Sequence, residues 1–192
     1  MIDEELLRRR VKAELRKRMR GLRNSTPESA IAARSAKIVE RLEAMNVVRA
    51  AKSIALFWPI TSRHEVDLRA LRTTAKVAYP HIDAEDRMTF RFPGDPSAME
   101  EAGKGFCQPS DDSPIADSLD VVVVPALAVD PRGHRLGYGA GYYDRALAAM
   151  QSTTSIAVAF DFQLLAEIPI TETDVAVKWI VTDTRTLSAV VG

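Results

Sequence analysis

Cysteine is almost absent from this 192-residue chain, where Cys107 stands alone. One thiol excludes an internal disulfide framework and suits a reducing compartment, so a cytoplasmic protein is expected. Histidine is scarce as well. His64, His81 and His134 are scattered, and with one cysteine they form no zinc-ligand spacing. Each is read as a surface or loop residue. No run of about 18 apolar residues occurs, so no membrane-spanning helix is expected, and the N-terminus lacks the apolar core of a signal peptide. Net charge is missing too: 26 basic and 26 acidic side chains cancel, leaving no overall field to favour nucleic acid or a membrane surface. There is no internal repeat and no linker.

The composition that remains, 46% hydrophobic and 27% charged, is that of an ordinary soluble protein. At this length it supports one domain, residues 1–192, with a sizeable core. The single local bias is a cluster of nine Lys or Arg between Arg8 and Arg23. Asp3, Glu4, Glu5 and Glu14 accompany it and aromatic residues do not, so the cluster reads as the solvated face of a helix.

Val11, Leu15, Met19 and Leu22 recur at helical spacing and predict a first helix over residues 3–23. Lys12 and Arg16 are four apart and leave it on one side. Ser25-Thr-Pro-Glu reads as a helix start with a capping hydroxyl. Ile31, Ser35, Ile38, Leu42 and Met45 mark the inner stripe of that second helix. Strands are expected at Ser53–Phe57, at Lys76–Tyr79 (stopped by Pro80), at Met88–Phe92, at Val121–Val124, at Ser155–Phe160 and at Lys178–Thr182. A short helix is expected around Leu68 and Leu71. Residues 93–118, with four prolines, read as a long connection with one helical turn. Strands alternating with helices predict an α/β sandwich with a mainly parallel sheet.

The most informative segment is 125–145. It follows the apolar run Leu119–Val124 and leads into a helical stretch, Tyr142–Met150. Strand, glycine-rich loop and helix in that order present backbone N–H groups and a helix N-terminus to an anion. Gly133, Gly137, Gly139 and Gly141 permit close approach of phosphate. Arg135 can donate to phosphate oxygens, and Asp130 and Asp144 are hard oxygen ligands suited to Mg²⁺. The spacing fits neither of the common nucleotide fingerprints, so on spacing alone a tight connection without a ligand remains open.

The run Gly133-x-Arg-Leu-Gly-x-Gly-x-Gly-Tyr-Tyr-Asp144, preceded by Pro125-x-Leu-Ala-x-Asp130, resembles the signature of the 5-formyltetrahydrofolate cyclo-ligase (5,10-methenyltetrahydrofolate synthetase) family. Three more blocks agree in order: Lys12-Ala-Glu-Leu-Arg16, Trp58-Pro through Glu65-Val-Asp, and Ala159-Phe-Asp-Phe-Gln163 through Pro169 and Asp174. Together they cover residues 12 to 183. Ala140, Val129 and Thr173 depart from the usual Gly, Phe and His.

The resemblance implies a three-layer fold related to the sugar-phosphate isomerase and CoA-transferase group. It implies ATP- and Mg²⁺-dependent conversion of 5-formyltetrahydrofolate to 5,10-methenyltetrahydrofolate, with ADP and phosphate released. Nucleotide contacts would come from Lys12, Arg16 and the segment His134, Arg135, Leu136, Gly137, Tyr138, Gly139, Ala140, Gly141, Tyr142 and Tyr143. Tyr138 to Tyr142 would also border the folate, with Trp58, Ile60 and Glu65. Asp144 and Asp174 match Mg²⁺ positions, and Lys12, Arg135 and Tyr142 are the catalytic candidates. Trp58 reads equally as core or as a stacking wall, and of Tyr142 and Tyr143 one is expected to pack and one to face ligand. A monomer is expected, acting on folate or its polyglutamates, with neither nucleic acid nor membrane as partner. The alternatives are a binding paralogue without turnover and a kinase-like enzyme on another small acid.

Overall fold

The computed structural model describes residues 4–95, 99–103 and 106–190. The first half of the chain forms α1 (Glu4–Asn24), α2 (Glu28–Ala44), α3 (Asn46–Arg49), β1 (Ser53–Ala55), β2 (Lys76–Ile82) and β3 (Met88–Arg91). The second half forms β4 (Glu100–Glu101), β5 (Cys107–Gln108), β6 (Val121–Pro125), β7 (Ala128–Val129), β8 (Arg135–Leu136), α4 (Tyr142–Ala149), β9 (Thr154–Val158), β10 (Trp179–Val181) and β11 (Thr186–Ser188).

Seven strands make one sheet in the order β11-β10-β9-β6-β1-β2-β3. The inner five are parallel, and each edge strand runs antiparallel to its neighbour. The valines of β6 explain why it is central. Val121 and Val123 pack with Ile54, Ile156 and Val158 under Ile38 and Leu42 of α2. Val122 and Val124 pack with Ala55 and Ala157 under Leu147 of α4. A strand covered on both faces needs a continuous apolar run, and the alternation of its side chains divides that run between two cores. The result is the expected three-layer α/β arrangement.

Helix α1 stands apart from these layers. Its one buried apolar residue, Met19, packs with Leu127, Leu136 and Ile168. Leu7 and Val11 remain exposed. This seating lays α1 against the β7–β8 ribbon.

Several elements differ from the sequence reading. Strand β2 runs through Pro80 to Ile82. Beyond Ala78 it pairs with β3 alone, so the missing proline N–H leaves no ladder unsatisfied. Around Leu68 and Leu71 there is no helix but a turn, closed by the Leu71 N–H on the Leu68 carbonyl at 3.0 Å. The hydroxyls of Ser25 and Thr26 donate to the Leu22 carbonyl and so close the end of α1 rather than starting α2. The described part of the 93–118 connection carries the β4–β5 ribbon in place of a helical turn; residues 96–98 and 104–105 lie outside the described residues. Strand β11 and the β7–β8 ribbon, too short to show periodicity, had no counterpart in the sequence reading.

Candidate active site

Beyond the carboxyl end of β6, where parallel sheets commonly bind ligands, lies a cleft of about 1230 Å³. Pro125 marks its base. Lys12 and Arg16 enter from α1, the segment from Gly137 to Arg145 forms the opposite wall, and the loop Thr171–Val175 closes one side. Four separate stretches of sequence therefore meet here.

Two cations of the cleft, Lys12 and Arg135, are paired with its carboxylates. Lys12, with a side chain only 8% exposed, donates its Nζ–H to Asp174 Oδ2. That oxygen also accepts the Thr171 N–H at 2.6 Å. Burial opposes the charge on Asp174, but Lys12 and the Thr171 amide outweigh it and hold the carboxyl below its ordinary value. Arg135 donates through NH2 to Asp144 Oδ1 at 2.9 Å and through NH1 to the Val175 carbonyl. The same Asp144 oxygen accepts the Val175 N–H at 3.1 Å. Burial lowers the Arg135 pKa, yet a guanidinium keeps its charge at neutral pH. Arg16 directs Nε–H to the Gly137 carbonyl at 2.9 Å.

Backbone conformation explains the glycines selectively. Gly139 has φ 111° and Gly141, which precedes α4, has φ 71°. Ala140 is not left-handed, so its departure from glycine carries no backbone strain. A Cβ on Gly139 would sit 3.6 Å from the Arg16 guanidinium carbon. Tyr143 packs against Phe90, ring centroids 6.3 Å apart, and burial pushes its hydroxyl pKa up. Tyr142 turns its hydroxyl to Asp86 in the β2–β3 turn. Both rings border the cleft.

Among the described residues no group of three or more His, Cys, Asp or Glu is arranged to hold a metal. Asp144 and Asp174 on facing segments meet the lighter demand of Mg²⁺, which takes one or two carboxylates and completes its shell with phosphate oxygens and water. Asp130 is a different case. It is fully buried and accepts N–H bonds from Arg132, His134 and Ile168, which makes it the organiser of the β7–β8 turn. Asp161 is likewise engaged by Thr182, Thr184 and Arg185.

Glu65 lies behind the wall of the cleft. It is buried; its Oε2 accepts the Ile60 N–H at 2.8 Å and its Oε1 accepts the Tyr138 hydroxyl at 2.7 Å. Tyr138 is thus the partition between the cleft and Glu65. Ile60 is buried beside Glu65, whereas Trp58 packs on the core, 6.0 Å from Tyr79, with Arg69 over its ring. His134 does not reach the cleft: it borders a separate recess of about 140 Å³ with Arg8 and Arg132. Leu136 is buried under Met19 and does not line the cleft.

One residue escaped the sequence reading. Arg23, the last cation of the basic cluster, is only 3% exposed and donates to the Tyr138 hydroxyl. Its signal was its position: Lys12, Met19 and Arg23, spaced by seven and four, are the residues α1 buries.

The model of the 5-formyltetrahydrofolate cyclo-ligase family matches residues 8–183. The 5-formyltetrahydrofolate cyclo-ligase of Mycolicibacterium smegmatis is 51% identical over 71 residues, 36% of this chain and 37% of that protein. That of Escherichia coli K12 is 39% identical over 69 residues, 35% of this chain and 38% of that protein. The matched stretch is thus little more than a third of the length of these relatives. In three dimensions the chain resembles Aquifex aeolicus 5,10-methenyltetrahydrofolate synthetase with a TM-score of 0.83 at 26% identity, covering 95% of this chain and 94% of that one. It shares its fold with the synthetase of Mycoplasma pneumoniae, TM-score 0.70 at 22% identity, covering 90% and 98%.

Proposed function

The chain belongs to the 5-formyltetrahydrofolate cyclo-ligase family, and on that premise we propose that it closes 5-formyltetrahydrofolate to 5,10-methenyltetrahydrofolate with ATP, releasing ADP and phosphate. The observation that carries this reading is the meeting of Lys12, Arg16 and Arg135 with Asp144 and Asp174 in one cleft, divided from the buried Glu65 by a single tyrosine.

The chemistry needs charge neutralisation and alignment more than a nucleophile from the protein. The formyl oxygen attacks the γ-phosphorus and ADP leaves. N10 then closes on the activated formyl carbon, and that oxygen departs as phosphate. Lys12 and Arg135 would trade their carboxylate partners for phosphate oxygens. Arg16, anchored on the Gly137 carbonyl, would hold the glycine segment while backbone N–H groups at the start of α4 face the phosphates. Asp144 and Asp174 would hold Mg²⁺, which when bound offsets phosphate charge. Glu65 would accept the N–H groups of the pterin and orient the folate, with Ile60 beside it. Lys12 and Arg135, the buried cations of the cleft, are each paired with a carboxylate, which supports this division, because a desolvated charge needs a partner.

No helix among the described residues is long and apolar enough to cross a membrane. On the folate reading the protein would act in the cytoplasm as a monomer, with small molecules as its partners. The test is a direct assay: growth of the methenyl-folate absorbance when 5-formyltetrahydrofolate is added with ATP and Mg²⁺. Binding of both ligands without that growth would replace the proposal with a non-catalytic role.

A further inference from the structure

Behind Tyr138 lies an arrangement that the phosphate chemistry does not use. Arg23 and Glu65 are both buried, their side chains 3% and 5% exposed, with NH2 and Oε1 4.0 Å apart. The Tyr138 hydroxyl bridges them: it accepts from Arg23 NH2 and donates to Glu65 Oε1. Arg23 Nε is buried with no hydrogen-bond partner among the described residues. The Arg23 carbonyl in turn contacts His64 Nδ1 at 3.1 Å, tying the end of α1 to the loop that carries Glu65.

A pterin presents along one edge an amino group at C2, an N–H at N3 and a carbonyl at C4, in the order donor, donor, acceptor. A carboxylate answers the two donors. The carbonyl then needs a donor beside that carboxylate, and Arg23 is the cation placed there, its NH2 now given to the Tyr138 hydroxyl. The bridging hydroxyl repeats the same pattern in miniature, giving a proton to Glu65 and taking one from Arg23, as the neighbouring N3–H and C4=O groups would.

We propose that Arg23 reads the C4 carbonyl of the pterin beside Glu65, and that the Tyr138 hydroxyl holds that place until folate displaces it. The inference rests on the folate reading above. Discrimination at C4 is therefore a property of Arg23, and a 4-amino pterin, which offers a donor there, is disfavoured.

Folic acid and aminopterin differ only in oxo against amino at C4, and calorimetric titration of both tests the assignment. The wild-type protein should prefer folic acid at least tenfold. Arg23→Gln should erase that preference by weakening folic acid at least tenfold, with aminopterin and ATP affinity unchanged; Arg23→Lys should retain part of it. Tyr138→Phe should bind folic acid at least threefold more tightly. Equal weakening of both pterins by Arg23→Gln would reduce Arg23 to a structural role and overturn the assignment. Unchanged or weaker folic acid binding by Tyr138→Phe would overturn the displacement. A wild-type protein that forms the methenyl product while Arg23→Gln keeps the preference refutes this inference alone. A wild-type protein that binds neither pterin refutes the folate reading itself.

Discussion

Arg135 is held by Asp144, nine residues further along the chain: NH2 and Oδ1 lie 2.9 Å apart across the glycine turn. The guanidinium is almost wholly buried and its other end sits on the Val175 carbonyl. A phosphate entering the cleft meets this cation already oriented, at the cost of exchanging one anionic partner for another. Asp144 thereby has two distinct tasks, as counter-ion of Arg135 and as candidate Mg²⁺ ligand, and substitution can separate them.

Asp144→Asn keeps the shape of the side chain and removes its charge. Activity should fall, and raising Mg²⁺ should recover part of it if the carboxylate holds the ion directly or through water. Gly139→Val should also stop turnover, through the backbone, because a β-branched residue resists φ 111°. No Mg²⁺ concentration should recover that variant. Activity measured against Mg²⁺ for both proteins distinguishes the cases, and wild-type Mg²⁺ dependence in Asp144→Asn would leave the carboxylate only its task on Arg135.

Glu65→Gln should weaken folate binding ten- to hundredfold and leave ATP binding nearly unchanged. Hydrogen bonds to a charged acceptor are worth roughly 1.5–3 kcal/mol, and the substitution removes that charge from the pterin edge. Paired titrations with 5-formyltetrahydrofolate and ATP provide the check; undiminished folate affinity would take Glu65 out of the site.

Lys12→Ala removes the cation bonded to Asp174 and leaves its carboxylate the hydrogen bonds of Thr171. ATP affinity should drop at least tenfold. Asp174 should also titrate closer to its ordinary value. A carboxyl held low by its partners contributes stability above the ordinary carboxylate range and loses it as pH falls through the depressed value. The variant should therefore begin acid unfolding at higher pH than the wild type, as circular dichroism against pH would record. Coincident acid transitions together with normal ATP affinity would make Lys12 a packing residue.

All four tyrosines carry raised pKa values. Burial raises Tyr79, burial and Glu65 push Tyr138 up to about 12, Asp86 raises Tyr142, and burial raises Tyr143. A raised value means that the folded state retains protons the unfolded chain has lost, so stability declines as pH climbs past 10.0, the ordinary tyrosine value. Native protein should show little tyrosinate absorbance near that pH, where the tyrosines of the denatured chain are about half ionised. A native titration centred on the ordinary value would contradict the packing of these rings.

The sheet was readable because buried parallel strands leave continuous apolar runs, as Val121–Val124 does, and because α2 repeats its inner residues at helical spacing. The glycine segment was readable from spacing and from its likeness to a family signature. Other features leave no such trace. Pro80 ordinarily ends a strand, and whether a neighbour needs its N–H is settled only by the tertiary fold. His134 belongs to the same short stretch as Arg135, yet in a strand successive side chains take opposite sides, and the two residues part there. Arg23 looked like one more solvated cation because burial of a charge depends on a partner 42 residues away, Glu65.

Helix α1 is fastened across the cleft mainly by polar contacts, with Met19 as its one buried apolar residue. Two of those contacts, Lys12 with Asp174 and Arg16 with the Gly137 carbonyl, lie where the nucleotide would bind. The adherence of this wall therefore depends on what the cleft contains. Because α1 is dense in lysine and arginine, trypsin becomes a gauge of occupancy. Bound nucleotide, drawing Lys12 onto its phosphates while Arg16 keeps hold of the glycine segment, should shield the helix from cleavage, and protein without nucleotide should be cut there first.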